Sequence, residues 1–169
     1  MESRRLSKGE QIMLAAGTGL LILSFIPMWA QVRFEAFPKG ARASFPERLV
    51  PETIERLNAW SPAFEVLLRV ALVITLVIVA LTIANLAGAA LKLPSGAGLY
   101  VALAGIALVC FILVLLTGPQ AGGVDESQAR LAGIDLGRDV MLFVGTALAA
   151  VLAYGALLHA RAPTARTAS

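Results

Sequence analysis

The stretch VALVITLVIVALTIANLAGAAL, Val70–Leu91, runs for 22 residues without a charge. Wound as a helix at 1.5 Å per residue it reaches about 33 Å, the thickness of a bilayer's hydrocarbon core. A buried helix in a soluble domain has no need of that length. Three more blocks share the character: Ile12–Ala30, Gly98–Gly118 and Val140–Leu158, with 19, 21 and 19 residues. The fold class expected is therefore all-α, an integral membrane four-helix bundle. Its spans are placed at about 11–30, 66–91, 98–118 and 139–159, within one membrane domain covering residues 1–160.

Composition agrees. Of 169 residues, 58% are hydrophobic and 15% charged, with a mean hydropathy of +0.80. Soluble domains carry about 25% charged residues. Alternating strands of the kind a membrane barrel needs are not evident. The first block follows a basic start (Arg4, Arg5, Lys8), as a secretory signal would, but exceeds a signal's apolar core and ends in Pro27 and Trp29 rather than a cleavage pattern. It reads as a retained helix.

An even number of spans puts both chain ends on one side. That side would hold Arg4, Arg5, Lys8, Lys92, Arg161 and Arg166 against Glu2 and Glu10. The basic excess predicts cytoplasmic termini in the cell membrane. The net charge of +3 reflects this topology. Without a basic cluster interleaved with aromatics, no nucleic acid is expected as a partner.

Between the spans lies an external loop of about 30 residues, 31–62. Its second half predicts a short amphipathic helix: Pro51 suits a first helical position, and Val50, Ile54 and Leu57 share a face at helical spacing. Ser61-Pro62 reads as the cap and start of the next helix. Ser7 and Glu10 have capping-box spacing ahead of the first. The end, 161–169, reads as a disordered cytoplasmic tail.

Few polar residues enter the spans. Thr75, Thr82 and Asn85 sit on related turns of the second; they are the candidate packing or pore residues, because an amide in hydrocarbon needs a partner across a helix interface. Small residues recur every four positions: Ala80, Ala84 and Gly88; Gly145, Ala149 and Ala153; Ala15 and Gly19. Such stripes let helix backbones approach closely. Trp29 and Trp60, with Phe64, are read as outer interfacial anchors and Tyr100 as an inner one. Arg69 stands one residue outside Val70–Leu91, where its stem can lie in the apolar layer while its head reaches phosphate. Glu65, four residues earlier, can pair with it. His159 reads as a dipole-compensating residue at the end of the fourth span.

Several functions lack their residues. A thiol oxidoreductase needs paired cysteines, and Cys110 stands alone. A haem bundle needs two axial ligands within the membrane, and a proton-coupled exporter a membrane-embedded carboxylate. Asp125, Glu126, Asp135 and Asp139 form a carboxylate set in the last external segment, but Arg130 and Arg138 among them favour a solvated mixed-charge face. No catalytic, cofactor or metal site is expected. The partners expected are membrane lipid and either a second copy of the chain or a larger membrane complex. A channel or carrier for a small solute or lipid, using Thr75, Thr82 and Asn85, remains open as an alternative. An enzyme acting on a lipid-linked substrate is the third.

"SFIPMW", "LNAWSPAFEV" and "GIDLGRDVMLFVGTALAAVLAYGALL" together resemble a loose group of small four-span actinobacterial membrane proteins. That group has a Pro-Trp element after its first helix, Asn-Ala-Trp before its second and an Arg-containing, Gly-rich entry to its fourth. Here Met28 separates Pro27 from Trp29, and the entry to the fourth span is aliphatic rather than aromatic. The resemblance implies the topology and no activity.

Overall fold

The computed structural model describes residues 6–34, 53–61, 64, 66–87, 96–119 and 134–161. Among the described residues four helices form a ring: α1 (Lys8–Leu23), α2 (Val66–Leu86), α3 (Gly96–Thr117) and α4 (Val140–Arg161). α1 packs on α2 and α4, and α3 on the same two. Three strands complete the described chain: β1 (Ala30–Phe34), β2 (Thr53–Leu57) and β3 (Ile134–Arg138). They pair antiparallel in the order β2-β1-β3, with Ala30 opposite both Leu57 and Arg138.

α2, α3 and α4, at 21, 22 and 22 residues, are long and apolar enough to cross a membrane. Their outward faces stay apolar: Val73, Leu76, Val109, Phe143 and Val151 are all exposed. Water would penalise such a surface and lipid would not.

α1 departs from expectation. It starts at Lys8 and stops at Leu23, giving 16 residues and not the span 11–30. Pro27 explains the stop, because it disfavours helical geometry in the residue before it and has no amide to donate. At the other end Ser7 and Glu10 form the reciprocal capping box.

The small sheet is the second correction. Thr53–Leu57 is a strand, not the expected short helix. Ile54 and Leu57 fit either period over so short a segment. The decision falls to β1, which lies alongside and supplies a ladder of backbone partners. Pro51 and Val50 lie outside the described residues, as do the tail 162–169 and Glu65. α4 extends through Arg161 and α2 is described from Val66; Pro62, expected to open it, lies outside the described residues.

The core has two halves. Toward the sheet, Leu20, Trp29, Phe64, Leu68, Leu72, Phe111, Val114 and Leu142 pack together. Toward the chain ends, Met13, Ile78, Tyr100, Ala104, Leu152 and Ala156 do.

Candidate functional site

At the sheet end, the chain leaves α1 through a turn at residues 24–29 whose polar groups are bound internally. The Ser24 hydroxyl donates to Leu21 O at 2.6 Å and accepts from Trp60 Nε1 at 2.9 Å. Trp29 Nε1 donates to Leu23 O at 2.7 Å. Ala59 N donates to Ser24 O at 3.1 Å, and Trp29 N to Leu57 O at 2.9 Å. Ser24 and Trp29 are both fully buried. Irregular backbone near membrane depth survives only when satisfied in this way.

Trp29 is therefore not a lipid-facing anchor. Its ring lies in the core beside Phe111, centroids 6.3 Å apart. A Cβ at Gly145 would come within 2.5 Å of Trp29 Cη2. Trp60 is half-buried and stacked on the exposed Phe25, ring centroids 5.9 Å apart.

Two consecutive residues bind the facing ends of α3 and α4, one each. Arg138 donates from Nη2 to Leu116 O at 2.8 Å, a cation on the carbonyls of a helix C-terminus. Just after Leu116 and Thr117 the chain turns at Gly118, with φ +80, a value side-chain-bearing residues rarely adopt. Asp139 accepts from Val140 N at 2.7 Å and from Gln31 Nε2 at 3.1 Å, an anion at the N-terminus of α4. Asp139, 6% exposed, is thus a structural cap. Asp125 and Glu126 lie outside the described residues, and Asp135 is part of β3.

The other end of the bundle gathers polar side chains from all four helices and from the cap of α1. Asn85 on α2 donates from Nδ2 to the Tyr100 hydroxyl on α3 at 2.8 Å. Tyr100 meets His159 of α4 edge to face, centroids 5.4 Å apart. His159 Nδ1 lies 3.4 Å from the hydroxyl of Ser7. Glu10 is buried beside them, its carboxylate accepting Ser7 N at 2.8 Å. Sequence reasoning placed Asn85 and His159 separately. No spacing rule links residues 7, 85, 100 and 159, so their meeting is a tertiary fact.

Thr75 and Thr82 are buried in the bundle, each hydroxyl donating to its own helix, to Ala71 O at 2.9 Å and Ile78 O at 2.8 Å. They face the interior beside Leu68, Leu72 and Ile78. Ala80 is exposed and Ala84 half-buried, so the α2 stripe is not its packing face; Gly88 lies outside the described residues. On α4, Gly145 and Ala149 are buried, while Ala153 is partly buried against the inner core. On α1, Ala15 is exposed and Gly19 meets open space, whereas Gly9 and Gly17 make the close approaches. Arg69 is exposed in the first turn of α2. Cys110 is buried, at the base of an open apolar groove of about 410 Å³ on α3 that Val101, Ala102, Gly105, Ile106 and Val109 also line.

No protein-family model matches this chain, and no curated protein matches its sequence.

Proposed function

We propose that this chain is a multi-pass protein of the cytoplasmic membrane that acts through contacts rather than chemistry, as an accessory subunit or a membrane-organising protein. The observation that carries the reading is the state of the interior polar groups. Thr75 and Thr82 bond their own helix and Asn85 bonds Tyr100. Among the described residues no buried side-chain nitrogen or oxygen lacks a partner. A solute path or an active site needs polar groups held ready for something else.

In this reading α1 is the fourth span. Its 16 residues cover about 24 Å as a helix. The internally bonded turn at 24–29 carries the chain the remaining distance to the sheet. Both termini are cytoplasmic, as the six basic residues against two acids on that side favour. The sheet then presents a rigid face outside, fed by the segments that follow α1 and precede α2 and α4.

Purification of the full chain in mild detergent, followed by cross-linking and mass determination, tests this. A homo-oligomer or one defined membrane partner is expected. A strictly monomeric species with nothing bound overturns it. Cysteine labelling near either terminus should be blocked from outside the cell.

A further inference from the structure

Among the described residues, the end of the bundle where α1 begins and α4 finishes exposes cations and no acid. Lys8 and Arg161 are exposed there. The tertiary structure brings them to one rim. Gly9 has no Cβ, and one built there would lie 2.5 Å from His159 N and 2.7 Å from Gly155 O. The α1 backbone therefore rests directly on α4, with Lys8 one residue before the contact and Arg161 two residues after it. Ser7 and His159 close the same joint at 3.4 Å.

The one acid among the described residues of this joint is buried. Glu10 is 6% exposed and its carboxylate accepts Ser7 N in the capping box. In the sequence, Arg4, Arg5 and Arg166 lie within five residues of Lys8 or Arg161, against the single acid Glu2. Below Arg161, two turns back on the same helical face, Tyr154 is exposed. A cation above an exposed aromatic is the order met in passing from headgroup to acyl chain.

We infer that the joined start of α1 and end of α4 bind the headgroup of an anionic phospholipid, with Lys8 and Arg161 meeting its phosphate. The inference rests on the membrane reading above. Charge complementarity names the occupant: the outward apolar faces set this rim at headgroup depth, where lipid phosphate is the concentrated anion.

The test uses the full chain in dodecylmaltoside micelles doped with phosphatidylglycerol or phosphatidylcholine, read by native mass spectrometry and thermal unfolding. Phosphatidylglycerol should be retained preferentially and raise the unfolding temperature, and 0.5 M salt should abolish the preference. The pair K8Q/R161Q should weaken retention about tenfold or more while unfolding normally in phosphatidylcholine. R69Q, at the opposite end, should keep the preference. Equal retention of the two lipids, a preference unmoved by salt, or one unchanged in K8Q/R161Q overturns the inference. Equal stabilisation by inorganic phosphate overturns it too, by pointing to a free anion. A chain that stays dispersed without detergent instead overturns the membrane reading itself.

Discussion

The indole of Trp29 fills the space that a side chain at position 145 would need, with Cη2 2.5 Å from where a Cβ would stand. The largest fully buried side chain among the described residues is thus seated on a residue with none. Trp29 reaches that seat because Pro27 ends α1 early and because its Nε1 is held by Leu23 O.

Gly145→Ala should therefore destabilise, although alanine favours helix. The methyl group must displace ring carbons within a packed core, which costs about 1–3 kcal/mol. Gly105→Ala is the control, since nothing lies within 4 Å of its Cβ position. There the helical preference for alanine, about 1 kcal/mol, should leave stability unchanged or raised. Thermal unfolding in a fixed detergent compares the two, and a drop at Gly105 equal to that at Gly145 contradicts the packing account.

Trp29→Phe and Trp60→Phe separate the two indoles. Each change removes one N–H donor. At Trp29 it also leaves space in the core, so a loss of about 2–3 kcal/mol is expected. At Trp60 the ring is half-buried and Ser24 still donates to Leu21 O, so about 1 kcal/mol should be lost. Equal losses would place the two residues in equivalent environments, against their burial.

Arg138→Ala and Asp139→Ala should each weaken the α3–α4 end. Arg138 satisfies Leu116 O as a charged donor, a contribution of about 1.5 kcal/mol, discounted for its exposure. Asp139 caps α4, where alanine costs about 1 kcal/mol. Hydrogen exchange should rise first at the last turn of α3 in the former and the first turn of α4 in the latter. Exchange rising equally at both helix ends in both variants would refute the assignment.

Thr75→Val and Thr82→Val should be close to neutral. Each hydroxyl returns to a carbonyl of its own helix and valine nearly matches threonine in shape. Asn85→Ala and Tyr100→Phe should instead couple in a double-mutant cycle by about 0.6 kcal/mol, the usual size for an interhelical bond in a membrane. A Thr75→Val variant that folds normally yet loses solute flux in liposomes would restore the carrier reading.

The positions of α2, α3 and α4 were legible because lipid makes a simple demand: about 20 apolar residues in a row, with every backbone group bonded within the segment. Val70–Leu91 met it by inspection. The packing faces were less legible. Where every face of a helix is apolar, periodicity loses its contrast, and Ala80 could be taken for an inward residue although it faces out. The same loss hid Gly9 and Gly17, whose roles follow from what lies opposite them.

Composition and run length alone determined that α2, α3 and α4 are helices long and apolar enough to cross a membrane, since this depends on each segment's own transfer into lipid. Only the tertiary structure decided that Thr53–Leu57 is a strand, that Trp29 lies inside, and that Ser7, Asn85, Tyr100 and His159 share one cluster. Each of those outcomes depends on a partner distant in sequence: β1 for the strand, Gly145 for the indole, the α1–α4 contact for the cluster. A local pattern carries no record of what will be packed against it.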